Sequence, residues 1–302
     1  MNSVDICIAT YKRPVLLKSL LNTLVADVSD CDLDVSIIVI DNDEEKSALE
    51  IVESVNLRTK LKITYSTQPI QNIALARNDA ISISTKKYIV FIDDDELPEK
   101  NWLVNLVDAA IKFNADVVFG PVNPIYPDGT PNWIVAGKYF DRKRLKTGTL
   151  MPHGGTGNTL IKRHVFKEPG NLFDKKYGLT GGSDTELFSR LSSLNYRLIW
   201  CDEAVVNEVV ERRRLTLKWL LFRAYRGGQV YYRVFSSKYG ATKKLYEFVK
   251  RLTYIMIAVV IFFITLPFGK KLYVKGLRKI ASNIGHISGM FGGMYEEYQK
   301  IN

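Results

Sequence analysis

The chain has 302 residues, 46% of them hydrophobic and 25% charged, which is enough to bury one large core or two moderate ones and too apolar for disorder. Its net charge of +10 is uneven, with Lys and Arg crowding the last third, so an anionic surface is expected near the C-terminal part. A membrane fits that better than nucleic acid, for which no motif is present.

Residues 4–9 (VDICIA) read as a buried strand, broken by TYKRP before a leucine-spaced helix over 15–25. Residues 34–40 form a second apolar strand ending in Asp41-Asn42-Asp43, and a helix over 46–55 follows. A short strand over 61–65, a polar loop over 68–72 and a helix over 74–83 lead to the strand 88–92. Four βα alternations in the first hundred residues predict a mostly parallel, Rossmann-like sheet with helices on both faces, whose ligands bind at the carboxyl ends of the strands. Residues 10–13, 41–43 and 93–95 all fall at those ends. Three adjacent carboxylates, Asp93, Asp94 and Asp95, would repel one another without a cation. Extended backbone turns Asp93 and Asp95 to one face and Asp94 to the other, and hard oxygen ligands suit Mg²⁺ or Mn²⁺ carrying phosphates. The plainer reading is a solvated acidic turn before a helix that begins near Pro98. Cys7, Cys31 and Cys201 lack metal-ligand spacing and read as reduced thiols in a cytoplasmic setting, and no secretory signal precedes the first strand.

CIATYKRP, IDND, NIALARNDAI and FIDDDELP, in that order, resemble the nucleotide-sugar-binding half of family 2 glycosyltransferases with the GT-A fold. The resemblance implies that Thr10, Tyr11 and Arg13 lie along the nucleotide, that Asp41 accepts a hydrogen bond from uracil, and that Arg77 holds the base and diphosphate end. Asp93 would meet the ribose or sugar with Asp94 in the same donor site, and Asp95 would sit on the metal. An aromatic ring packs on a base, a carboxylate accepts from an imide N–H, and a guanidinium offsets diphosphate charge. Taken alone, Arg77 reads as a surface helix charge.

Further on, a helix over 102–113 and a strand over 115–122 precede a Pro-, Gly- and base-rich stretch, 121–148, that suits a loop closing over substrate. HGGTGNTLIKR (153–163) resembles the acceptor-side segment of the family, where Gly157 and Asn158 border the sugar; on its own it is a turn and a strand. In YGLTGGSDTELFSRL (177–191) two glycines allow a tight turn, Ser183 can cap the next helix, and Asp184 sits in its first turn. The family usually has Glu-Asp here, its Asp being the catalytic base. Ser183 replaces the Glu, so Asp184 inherits the base role, with Gly182 and Ser183 beside the acceptor; the competing reading is a simple helix cap. After the strand 196–201, Glu208 is the nearest candidate to complete the metal site, against a solvated acidic residue.

The stretch 212–226 reads as a basic amphipathic helix at a membrane surface, with Arg223 and Arg226 as alternatives for the diphosphate. Residues 253–268 carry no charge but fall short of the ~20 residues of a full span, and basic pairs flank both ends. They are expected to form a short span or half of a re-entrant pair with 275–295, whose glycines permit close helix packing, the competing reading being a buried core helix outside the GT-A unit. The expected organisation is a GT-A domain over 1–210, with a nucleotide-sugar half (1–100) and an acceptor half (101–210), followed by a membrane-associated helical region over 211–302. The expected function is inverting, metal-dependent transfer from a nucleotide-sugar donor to a lipid-linked or growing polysaccharide acceptor at the cytoplasmic face of the inner membrane, the oligomeric state being open. The alternative is a catalytically silent, membrane-bound scaffold that binds nucleotide sugars.

Overall fold

The computed structural model describes residues 2–28, 32–168 and 170–295, so Cys31 lies outside the described residues. In chain order the elements are β1 (Asn2–Thr10), α1 (Pro14–Val28), β2 (Leu33–Asp41), α2 (Leu49–Asn56), β3 (Lys62–Thr67), α3 (Ile73–Ile83), β4 (Tyr88–Phe91), β5 (Glu96–Pro98), α4 (Trp102–Lys112), β6 (Val117–Phe119), β7 (Val122–Ile125), α5 (Asn132–Gly137) and β8 (Thr159–Lys162). They continue with α6 (Ser183–Ser193), β9 (Leu198–Trp200), β10 (Val206–Val209), α7 (Leu217–Tyr231), α8 (Ala241–Thr265) and α9 (Lys270–Met290). The chain divides into two compact units, residues 2–124 with 142–208 and residues 125–141 with 209–295.

The first unit is built on a seven-stranded sheet of order β3-β2-β1-β4-β8-β6-β9, in which β8 alone runs against its neighbours. Strand alternation separates two apolar layers. Val4, Ile6 and Ile8 of β1 face α1, α2 and α4, packing on Leu17, Val52 and Trp102. Cys7 faces the other way, with Ala76 and Ala80 of α3 and Leu187 and Phe188 of α6. Both faces of the sheet are therefore covered over its central strands, while the edge strand β3 is partly exposed along its length. Thr10 pairs with Asp41 at the last step of the β1–β2 register, so the motifs at 10–13 and 41–43 leave the same edge. A small sheet, β5-β10-β7, adjoins it.

Asp5 is the polar exception inside this core. It is buried on the α3 side, where Oδ1 accepts from the Ser36 hydroxyl (2.5 Å) and Oδ2 from the Ser84 hydroxyl and the Thr85 and Lys86 amides (2.7, 2.9 and 3.0 Å). Burial by itself would raise its pKa, but the four donors outweigh it and hold the carboxyl below its ordinary value. Asp5→Ala would leave two hydroxyls and two amides without an acceptor, an expected loss of about 3–5 kcal/mol at pH 7. Because the folded pKa is the lower one, this contribution exists above the unfolded pKa and disappears as pH falls through the folded value. Denaturant titrations at pH 7 and near pH 3 check both points; a deficit under about 1 kcal/mol at pH 7 would show that the network is not stabilising.

The second unit consists of α5, α7, α8 and α9, with α9 packed along both α7 and α8. A Cβ on Gly228 of α7 would fall 1.9 Å from the Ser282 carbonyl oxygen, and one on Gly285 of α9 would fall 1.9 Å from that of Tyr225. The two backbones thus approach as only glycine permits. The expected small-residue packing of α9 is directed at α7 through Gly285, while Gly276 faces Ala258 and Phe262 of α8. Residues 121–148 depart from the expected open loop. They contain β7 and α5, and Ile134 and Tyr139 are buried with Val210, Leu215, Leu220 and Val274, because the aromatic and aliphatic residues among the prolines and glycines form a core of their own. The helix expected over 102–113 is α4, starting at Trp102, whereas Glu96–Pro98, where the plainer reading of the acidic turn began a helix, is a strand paired with β10.

Candidate active site

Three chain segments meet at the carboxyl edge of the first unit's sheet. After β1 the chain bends through Tyr11 and Lys12, the latter at φ +52°, and Arg13 turns back toward the end of β4. The carboxylates after β4 sit on a turn closed by the Glu96 amide donating to the Asp93 carbonyl (3.1 Å), so the expected strand alternation does not extend to them. Instead Asp94 and Asp95 share one guanidinium. Arg13 Nη1 lies 3.0 Å from Asp94 Oδ1 and 3.1 Å from Asp95 Oδ2, and the Thr10 hydroxyl donates to Asp94 Oδ2 (2.8 Å). Burial still pushes Asp94 up to about 6 against the pull of Arg13, so desolvation outweighs the ion pair there.

Asp93 points to a different cation. Arg77 is 9% exposed on α3, its guanidinium 5.6 Å from the Phe173 ring centroid and Nη2 3.5 Å from Asp93 Oδ1. A free surface charge is thereby ruled out for Arg77. The Asn72 side chain caps α3 by accepting from the Ala74 and Leu75 amides, and the Asn72 amide donates to Asn42 Oδ1, so the end of β2 fixes where α3 starts and Arg77 projects. Asp93 is raised first by burial, eased by Arg77, and raised again by Asp95. Glu96, which the sequence reading passed over, is almost completely buried and accepts from the Asp93 amide (3.0 Å); burial and the neighbouring Asp93 push it well above the carboxylate range. Across the β5–β10 ladder it faces Glu208, which pairs with Arg142 (3.8 Å). Arg142 also lowers the pKa of Asp93 and Glu96, so it belongs to the same cluster, although its position in a base-rich stretch gave no signal of it.

Gly157 closes this corner. A Cβ there would lie 2.4 Å from Glu96 Oε1 and 3.0 Å from Asp93 Oδ2, so its backbone rests directly on the carboxylates. Two residues earlier, a Cβ on Gly155 would lie 3.4 Å from Asp184 Oδ2. The same glycine turn therefore touches the carboxylates after β4 and Asp184 of α6. Gly181 and Gly182 adopt φ +76° and +97°, a left-handed pair that brings α6 in at this point. Asp184 Oδ1 accepts from the Thr185 amide (2.7 Å), and its charge raises Asp93.

Three of the expected residues have surroundings of their own. Ser183 makes no capping hydrogen bond and is buried; α6 starts from the Gly182 turn instead. Asn158, expected to border the acceptor, spends its side chain inside the protein. It is fully buried, donating to the Pro121 and Ala204 carbonyls (2.8 and 2.7 Å) and accepting from the Trp102 indole (2.6 Å), so every polar atom of its amide is held by the protein. Asp41 stands at the mouth of β2 as expected, but it is completely buried, with its oxygens accepting from the Asp43 amide, the Ala48 amide and the Tyr65 hydroxyl (3.2, 2.7 and 3.0 Å). Burial and that last bond carry Tyr65 up to about 12. Nearby, Asp43 Oδ2 is buried with no hydrogen-bond partner, an acceptor the sequence reading named only as part of a run.

For a divalent cation the donor set is all oxygen, which suits Mg²⁺ or Mn²⁺. Among the described residues no three His, Cys, Asp or Glu side chains converge to hold an ion. Asp95 and Glu208 thus form no closed cage, each carboxylate having a guanidinium within ion-pair distance. Mg²⁺ commonly takes one or two carboxylates and completes its shell with phosphate oxygens and water. The Asp93–Asp95 turn fits an ion of that kind.

A mostly parallel sheet whose carboxyl edge gathers carboxylates, arginines and a glycine turn defines a GT-A-like architecture. The chain belongs to glycosyl transferase family 2, whose sequence pattern matches residues 5–170. Among its relatives is the succinoglycan biosynthesis protein ExoM of Rhizobium meliloti, 32% identical over 235 residues that cover 78% of this chain and 76% of that protein. Similar solved structures include the mannosyltransferase PcManGT from Pyrobaculum calidifontis in complex with GDP-Man and Mn²⁺ (TM-score 0.68, 15% identity, 96% of this chain and 87% of that one). TarS 1–349 of S. aureus in complex with UDP-GlcNAc is a second (TM-score 0.53, 15% identity, 98% and 93%). At such identities these two structures speak to the fold.

Proposed function

We propose that this glycosyltransferase moves a sugar from a nucleotide donor, a UDP-sugar, to a hydroxyl of a lipid-linked or growing polysaccharide, with inversion, at the cytoplasmic face of the inner membrane. The observation that carries this reading is the glycine turn at 155–157, which touches Asp93 and Glu96 on one side and Asp184 on the other. The carboxylate turn after β4 and a separate carboxylate on α6 then lie against one glycine turn, a juxtaposition that suits a single displacement. The relationship to a polysaccharide biosynthesis protein supports the acceptor class, and the likeness to a sugar-nucleotide complex supports the donor class.

In this mechanism Asp184 takes the proton of the acceptor hydroxyl as that oxygen attacks the anomeric carbon. Its Oδ1 is held by the Thr185 amide, which leaves Oδ2, on the Gly155 side, to receive the proton. Thr10, Tyr11 and Arg13 line the nucleotide, Arg77 and Asp93 lie at the diphosphate and ribose, and Asp94 holds Thr10 and Arg13 in place. Asp43 replaces Asp41 as the acceptor for the base, since a buried oxygen without a partner is what a ligand N–H would complete. Asp95, with Asp93 beside it, would hold Mg²⁺ or Mn²⁺, which supplies positive charge to the departing diphosphate. Gly157, Gly182 and Ser183 shape the acceptor side through backbone and packing.

The test is a thermal-stability screen of UDP- and GDP-sugars with and without Mn²⁺. A ligand at 100 times its Kd stabilises the native state by about 2.7 kcal/mol, or several degrees. A Mn²⁺-dependent rise with UDP-sugars is expected. A rise with GDP-sugars alone would reassign the donor, and no rise with any nucleotide sugar would remove the reading.

A further inference from the structure

Among the described residues α8 is the one helix long and apolar enough to cross a membrane. What its two ends are tied to decides whether it does so. At its C-terminal end α9 begins at once, and the Tyr139 hydroxyl donates to the Lys271 carbonyl (2.7 Å) while the Lys270 ammonium sits 4.5 Å from the Trp133 ring centroid. Tyr139 lies only three residues before Arg142, where the chain re-enters the first unit. Three residues reach about 11 Å at most, whereas a bilayer's hydrocarbon is ~30 Å thick. Lys271 therefore stands on the same side of any membrane as the first unit. Between Glu208, where the chain leaves that unit, and Lys271, the number of crossings must be even. The segment has one candidate, because α7 carries Lys218, Arg223 and Arg226 along its length. Zero is the even number available.

A long apolar strip is nevertheless left on α8. Leu245, Val249, Met256, Val260, Phe263 and Ile264 are each more than half exposed. On α9, Lys271, Lys275 and Lys279 are exposed at four-residue spacing, one cationic stripe. An apolar strip and a lysine stripe on adjoining antiparallel helices match the acyl boundary and the phosphates of an anionic leaflet.

We propose that the α8–α9 hairpin is a monotopic anchor, with α8 lying in the plane of one leaflet and the α9 lysines on phosphates of anionic phospholipids. This deepens the membrane reading above and rests on it. The test places single cysteines at Lys270→Cys and Lys100→Cys in a full chain whose own three cysteines are alanine, and labels them with an impermeant maleimide. In inverted inner-membrane vesicles both should label equally, and in intact spheroplasts neither should. A Lys270→Cys that labels only from the outside would establish a span and overturn the proposal. A second measurement uses parental protein and the Lys271→Glu/Lys275→Glu/Lys279→Glu variant with vesicles of phosphatidylcholine alone or with one-third phosphatidylglycerol. Each lysine near an anionic surface is worth about fivefold, so the variant should lose on the order of 100-fold in affinity for the anionic vesicles. Its donor binding should stay parental, which separates failure of the anchor from failure of the glycosyltransferase reading. Equal binding of both proteins to both vesicles, or a soluble dimer that ignores vesicles, would overturn it.

Discussion

Asp95→Asn should abolish sugar transfer and metal-dependent donor binding while leaving the fold intact. Asp95 sits on the turn between β4 and β5, where the Arg13 guanidinium lies 3.1 Å from its carboxylate. Asn keeps the size and one acceptor for Arg13, so little packing changes; the loss is one negative charge. That charge is what a divalent cation needs here, because no third protein ligand converges to compensate among the described residues. Positive charge at a leaving diphosphate is worth several kcal/mol, so a loss of about a thousandfold or more in transfer is expected. Isothermal titration of UDP with and without Mn²⁺ should show metal-enhanced binding in the parent only. A variant that binds Mn²⁺ and UDP as the parent does would remove Asp95 from the metal site.

Asp184→Asn should behave in the opposite way, keeping donor and metal affinity while turnover falls by roughly two to four orders of magnitude, the usual worth of a positioned general base. Asn retains the shape and can still accept from the Thr185 amide, so α6 loses no support. A helix-capping role predicts no such fall, since Asn caps about as well as Asp. The cap position is in any case held by Gly182. Turnover and UDP-sugar affinity measured on the same variant separate the two roles, and near-parental turnover would take Asp184 out of the mechanism.

Much of this site is legible from sequence because it lies at strand ends. Near-continuous apolar runs of strand length that alternate with helical patterns read as covered parallel strands, and polar residues directly after them reach the carboxyl edge, where Thr10, Asp41 and Asp93–Asp95 were expected. What sequence does not specify is which polar groups the protein itself consumes. Asp41 and Asn158 stand where a ligand contact was expected, yet Tyr65, Ala48, Trp102, Pro121 and Ala204, remote in sequence, take their hydrogen bonds. Glu96 was hidden for the converse reason. It reads as one more acid in FIDDDELP, and only the β5–β10 pairing buries it beside Asp93. Residues 125–141 look like a loop because two prolines and two glycines break any helical or strand period, while Ile134 and Tyr139 find partners beyond Val209.

The most direct test of a single displacement assisted by Asp184 needs no acceptor. Slow hydrolysis of the matching donor can be followed by proton NMR, reading the anomeric configuration of the sugar at first release, before mutarotation. Attack by water from the Asp184 side should give the configuration opposite to that of the donor, and Asp184→Asn should suppress the signal. Initial release with the donor's own configuration would contradict the account.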